Sequence, residues 1–315
     1  MSLNVRFRLA RAILSPAGIR AVTIAGACAL GIAYLLIWLV APLSYDLLGQ
    51  FWPFGGLGLA GALVANSTGV GGGVVFIPAF AFLRETGTVP ISPAAAVGIS
   101  FAIQCFGMTS GSLTWLNQLF RDRVSRRHKA WRHLVGQILL PVLGIGLPSL
   151  LLTQYALRVD SQFAFLLFKL FSIALGAALL LQLAIMRYGG PDRLRLNTLD
   201  WISLCLIGLV GGVATALFSV GTGELLALYL FIRRMPVDVA VSSAVIASAL
   251  SVWTGLSFHI QAGHILWEIL IYAAPAVVLG GYLARQVAHA LGAIRLKLAT
   301  GSWIILSSTI LLLTS

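Results

Sequence analysis

The stretch ANSTGVGGGVVFIPAF, Ala65 to Phe80, places four glycines and three small polar residues inside an apolar segment long enough to cross a bilayer. Glycine is among the weakest helix formers, so the segment is interrupted where a simple span would be most regular. Around it lies a chain of 315 residues, 59% hydrophobic and 10% charged. An ordinary soluble domain carries about 25% charged residues. This composition reads as an all-α integral membrane protein. The net charge of +12 would suggest nucleic acid as a partner on a soluble chain. Here the Lys and Arg residues occupy short loops between apolar runs, as cytoplasmic loops do, so the partner is the bilayer and not nucleic acid. Cys28, Cys105 and Cys205 all lie within apolar stretches and form no CxxC or His-paired pattern, which reads as packing.

Apolar segments able to cross lie at 21–41, 57–83, 94–116, 134–156, 163–186, 200–232, 237–258, 266–286 and 293–314. The first follows Arg6, Arg8, Arg11 and Arg20. It is too long for a signal-peptide core and no A-x-A site follows it, so it reads as an uncleaved span. If all nine cross, with the N-terminus inside and Lys169 set aside within a span, 11 Lys/Arg fall inside and 9 outside. If 57–83 and 200–232 instead turn back within the membrane, 18 fall inside and 2, Arg84 and Arg158, outside. The positive-inside rule selects the second arrangement. The two segments that it folds back are also the two with glycine-rich centres, since the second reads ALFSVGTGELLALYLF, Ala216 to Phe231. Glycine's conformational freedom suits a sharp turn.

The two segments also align. GVGGG (Gly69–Gly73) falls on SVGTG (Ser219–Gly223), AAVGIS (Ala95–Ser100) on VAVSSA (Val239–Ala244), Gly111 on Gly255, Pro141 on Pro275 and Gly146 on Gly280. The expected fold is therefore an inverted repeat, each half a re-entrant or broken helical hairpin plus three transmembrane helices, with one extra N-terminal transmembrane helix. The expected division is a basic cytoplasmic N-terminus (1–20), the extra helix (21–41), the first half (57–186), a cytoplasmic linker (187–199) and the second half (200–315). The protein is expected in a bacterial-type cytoplasmic (inner) membrane, with its N-terminus in the cytoplasm. A homodimer is compatible with the sequence and not required by it.

Irregular backbone at membrane depth survives only where protein surrounds it or a wet cavity meets it. Two such turns imply a shared polar site near the midplane. Half-helices beginning near Gly73 and Glu224 would aim amide groups and positive dipole ends into it, which suits an anion. Ser67, Thr68, Ser219 and Thr222 offer hydroxyls. The helices that follow, from Pro93 and Pro236, add Ser100, Gln104, Ser242, Ser243 and Ser248. The competing reading is that the glycines allow close helix packing and that the serines bond their own backbone. Glu224 has two readings. It caps the second half-helix, or it carries a proton that couples transport to the proton gradient. Lys169 is expected to snorkel outward, His264 and Glu268 to be interfacial, and His259 to be solvated or capping. A dinucleotide loop is excluded because GVGGG lacks the soluble βαβ context. No HExxH, GxSxG or Walker motif appears, so no enzyme activity, cofactor or metal is expected.

GVGGGVVFIPAF, with FSVGTGELLALYLF and AVSSAVIASALSVWTG in the second half, resembles the repeated signature of the TauE/SafE family of sulfite-exporter-like anion permeases, over roughly 57–315. The resemblance implies export of sulfite, sulfoacetate or a related organosulfonate. It implies a site at Gly69, Gly71, Gly72, Gly73, Ser219, Gly221, Thr222, Gly223, Ser100 and Ser242 or Ser243. Where the family has small-Thr-Ser, this chain has GIS (Gly98–Ser100) and SSA (Ser242–Ala244). Three readings follow: a secondary transporter working by alternating access, a passive anion channel on the same scaffold, or an assembly protein whose glycines serve packing alone.

Overall fold

The computed structural model describes residues 16–85, 91–121, 126–157, 159–186 and 193–314. Arg6, Arg8 and Arg11, most of the 84–92 loop, the centre of the 117–133 loop, Arg158 and the start of the 187–199 linker lie outside the described residues. The described chain is helical: α1 (Pro16–Val40), α2 (Tyr45–Leu48), α3 (Pro53–Thr68), α4 (Gly73–Glu85), α5 (Pro93–Arg121), α6 (Arg126–Ala156), α7 (Ser161–Met186), α8 (Thr198–Phe218), α9 (Thr222–Ile232), α10 (Val237–Gln261) and α11 (Trp267–Thr314). Gly292 breaks α11 with φ 76° and ψ 151°. Among the described residues, seven helices are long and apolar enough to cross a membrane; the protein is a multi-pass membrane protein.

Neither glycine-rich segment is a continuous rod. Phe54 in α3 stacks on Phe80 in α4 with ring centroids 5.6 Å apart. Along one straight helix the same residues would be about 39 Å apart. In the second segment, Asp200 near the start of α8 accepts hydrogen bonds from Tyr229 Oη at 2.6 Å and Arg233 Nε at 2.7 Å, at the far end of α9. Asp200 is fully buried, and it also accepts from the Asn197 amide and lies 3.7 Å from Arg193. A buried carboxylate must be paired and hydrogen-bonded to be tolerated, and this cluster closes the base of the second hairpin.

The arms cross closely at matched glycines. Gly61 lies against Phe76 and Val75, and Gly211 against the Thr222 backbone. Each hairpin then lies on a helix from the other half of the chain. On α3, Gly58 meets Ala273 of α11, and Gly280 faces the Leu59 carbonyl. On α8, Gly208 meets Val142 of α6, and Gly146 faces Gly208. Pro141 and Pro275 lie in the two receiving helices. A methyl group at these contacts would strike backbone, so the residues that align in sequence also perform the same packing task. The long helices α5 and α10 run between the hairpins and are mostly buried. α1 stands at the edge, held by Tyr34 Oη donating to the Ile271 carbonyl at 2.9 Å and by the contact of Gly26 with Leu113. Most of its surface faces outward.

Candidate functional site

The first arm of each hairpin ends in a left-handed residue at matched positions. Gly69 has φ 77° and Ser219 φ 58°. Such a C-cap satisfies the last helical carbonyls: the Gly69 amide donates to Ala65 O at 3.0 Å and the Ser219 amide to Thr215 O at 2.8 Å. Gly71, Gly72 and Gly73 are not in the left-handed region. Their need is proximity, not conformational freedom. A Cβ at Gly73 would strike the Ser219 carbonyl at 2.6 Å, one at Gly72 would meet Phe76 at 2.7 Å and Gln104 at 3.1 Å, and one at Gly71 would collide with Glu224 Oε1. The hairpin tips therefore touch.

Gln104 of α5 holds this junction. Its Nε2 donates to Ser219 Oγ at 2.7 Å, to Ser219 O at 3.1 Å and to Ser100 Oγ at 3.0 Å, and all three side chains are buried. Gly223 lies against Ser248 and the Ala244 carbonyl of α10, and Gly69 against Ala244 and Val241. Gly221 is wedged against the Gly211 carbonyl and Ala214. The structure thus gathers Gly69, Gly71, Gly72, Gly73, Ser100, Gln104, Ser219, Gly221, Thr222, Gly223 and Glu224 around one junction. Thr68 turns back, its Oγ1 donating to Val64 O at 2.8 Å and receiving Val70 N at 3.3 Å. Ser242 donates to Val239 O of its own helix at 3.3 Å. Ser243 is buried, and its Oγ has no partner among the described residues.

The second half-helix begins at Thr222, with Glu224 in its first turn, and its first amides are already bonded. Thr222 N donates to Thr215 Oγ1 at 3.0 Å, and Gly221 N to Glu224 Oε2 at 2.8 Å. Those two amides do not face a ligand. Glu224 is 2% exposed and makes no ion pair with a described residue. Its Oε1 has no hydrogen-bond partner of standard geometry and lies against Gly71, at the turn that leads into α4. No acidic residue occupies the first turn of α4 itself. One carboxylate therefore stands where two half-helices begin, each contributing roughly half a positive charge at its N-terminus. The junction sets this carboxylate beside two helix starts, with no ion-pair partner among the described residues.

Sequence reasoning missed Asn66 and Thr215. Asn66 is fully buried; its Nδ2 donates to Ala62 O at 2.9 Å and its carbonyl accepts from Trp115 Nε1 at 3.0 Å. Its Oδ1 has no partner and lies against Gly111. The signal available in the sequence is an amide side chain directly before a helix-breaking glycine run. Thr215 acts across the turn, and no spacing rule marks such a contact. Lys169 is 5% exposed rather than snorkelling, with its Nζ 4.7 Å from the centroid of the Phe165 ring; Arg84 lies 5.2 Å from the same centroid. His259 is likewise buried, within 3.3 Å of both Gln154 and His264. Gln154, His259 and His264, with Phe165, Phe168 and Phe218, line a cavity of about 190 Å³ that reaches the tip of the second hairpin.

Two fold-back hairpins with touching tips, buried within a bundle of long apolar helices, define a helical membrane transporter. The chain belongs to the Sulfite exporter TauE/SafE family, which matches residues 54–311. It is similar to the Probable membrane transporter protein YunE of Bacillus subtilis (strain 168), at 25% identity over 255 residues, covering 73% of this chain and 86% of the relative. No solved structure matches. α1 precedes the matched region.

Proposed function

We propose that the transporter exports a small oxyanion (sulfite, sulfoacetate or a related organosulfonate) across a bacterial-type inner membrane by alternating access, with its N-terminus in the cytoplasm. The observation that carries this reading is Glu224, a buried carboxylate with no ion-pair partner among the described residues, held at the junction of two half-helix starts. A place that accommodates one carboxylate suits another oxyanion. Both cannot be charged there together, because like charges a few ångströms apart in a poorly screened interior repel strongly. Protonation of Glu224 releases the α4 end for the substrate, and deprotonation expels the substrate. Substrate and proton are therefore bound and released together, so anion flux is linked to proton movement in the same direction. The hydroxyls of Ser100 and Ser219, which accept from Gln104 Nε2, supply neutral hydrogen bonds to the oxygens of the substrate.

The inverted repeat gives the movement a geometry. Matched glycines seat α3 on α11 and α8 on α6, so two equivalent units can rock against each other about the junction. The cavity beside Phe218 is the route on one side, and Arg84 and Lys169 near Phe165 draw anions towards it.

Proteoliposomes test the proposal with a panel of sulfite, sulfoacetate, sulfate, thiosulfate and chloride, with and without a pH step. Saturable flux of a sulfur oxyanion that responds to the pH step supports it. Large, non-saturating currents would favour a channel instead. No flux of any panel member from correctly inserted protein would remove the oxyanion assignment.

A further inference from the structure

We propose that the groove between α1 and the family-matched core is a binding site for one anionic glycerophospholipid. A cavity of about 900 Å³ separates α1 from α5 and α11, near the top of the roughly 300–1,000 Å³ range of ligand pockets. Two contacts set the register of its walls. Tyr34 meets Ile271, and Gly26 meets Leu113, with α1 antiparallel to both partners. From Tyr34 to Arg20, and from Ile271 to Arg285, the chain advances equally, by about 21 Å in each case. Arg20 and Arg285 therefore reach the groove at the same depth, where Asn117 and Gln118 also line it. Towards Tyr34 the lining changes to Leu30, Phe106 and Ala274.

The groove is thus amphipathic along the membrane normal, with cations and amides at one level and hydrocarbon above. That order matches a phospholipid, with the phosphate between the arginines and an acyl chain against the apolar wall. Basic pockets of this kind between transmembrane helices bind anionic headgroups. Gln118 adds selectivity: its Oε1 is buried and has no partner among the described residues, so it accepts a hydrogen bond from a hydroxyl-bearing headgroup such as glycerol. Residues 1–15 of the same chain are an unsuitable occupant, because Arg6, Arg8 and Arg11 would repel the arginines already present. With the N-terminus in the cytoplasm, the headgroup belongs to the inner leaflet. Gly31, which lines the groove, has nothing within 4 Å of an added Cβ, so this wall has room for a chain.

The full-length protein is purified and native mass spectrometry counts bound phosphatidylglycerol against phosphatidylcholine at equal supply. The wild type retains one phosphatidylglycerol per chain in preference. Affinity falls about thirty-fold in the Arg20→Ala/Arg285→Ala double variant and is largely restored by the Arg20→Lys/Arg285→Lys pair. Gly31→Leu, which fills the apolar wall, displaces the lipid while leaving the thermal midpoint in phosphatidylcholine unchanged. Equal retention of the two lipids, undiminished retention by the alanine pair, or equal protection by inorganic phosphate alone would overturn the proposal. The readout is independent of transport, so a silent flux assay leaves it standing.

Discussion

Ser219 occupies the left-handed position that Gly69 fills in the other hairpin, at φ 58°. For a residue with a side chain this conformation costs roughly 1–2 kcal/mol. The Ser219 Oγ repays part of it by accepting the 2.7 Å hydrogen bond from Gln104, and a neutral buried bond contributes about 1 kcal/mol. Two substitutions separate these terms. Ser219→Ala keeps the strain and loses the bond, so it should destabilise by about 1 kcal/mol. Ser219→Gly loses the same bond but relieves the strain, so it should be close to neutral. The glycine variant should therefore exceed the alanine variant by about 1 kcal/mol, or roughly 1–2 °C in thermal midpoint for a chain of this size. Thermal unfolding in one detergent measures both. An alanine variant as stable as the glycine variant would refute the idea that the tip stores backbone strain. Both variants should weaken substrate binding, because each removes the hydroxyl.

Other perturbations give distinct outcomes. Asp200→Ala strips Arg233, Tyr229 and the Asn197 amide of their shared acceptor. Breaking a buried pair costs about 3–5 kcal/mol, and because the arginines are partly exposed the lower end applies; a thermal midpoint unchanged within error would contradict the closure of the hairpin base. Gly71→Val places a side chain against Glu224 and should abolish flux while leaving the protein in the membrane; wild-type flux in proteoliposomes would show that the tips need not touch. Glu224→Gln retains a cap for Gly221 N–H but holds no exchangeable charge, so transport should persist and lose its response to a pH step. An undiminished pH response would place the coupling proton elsewhere.

The two interrupted segments were legible in the sequence because glycine placement and charge placement pointed to the same pair. Pro93 at the start of α5 was also legible, and so was the separation of segments 266–286 and 293–314, which falls at Gly292. The role of the triple glycine was only half legible. A run such as Gly71–Gly73 announces that side chains are excluded, but not whether the reason is a positive φ or an approaching backbone, and here it is approach. The start of α9 two residues before Glu224 depends on Thr215, which reaches it across the turn. Contacts of that kind exist only once the chain has folded back. Lys169 illustrates the same limit: its length permits snorkelling, but the Phe165 ring offers its charge a nearer surface, a cation–π contact worth about 2 kcal/mol when desolvated. Asn66 is visible in the sequence only as a polar residue in an apolar segment; its burial and its contact with Trp115 arise in the folded chain.

Cysteine accessibility in intact cells tests the central claim most directly. In a background with Cys28, Cys105 and Cys205 replaced, single cysteines at Gln50 and Arg84 bracket the first hairpin, and those at Arg195 and Arg234 bracket the second. Two hairpins that enter and leave on one side require a membrane-impermeant thiol reagent to label both members of the first pair from outside and neither member of the second. Labelling of only one member within either pair would mean that the segment crosses the bilayer, and the anion junction at the hairpin tips would then be lost.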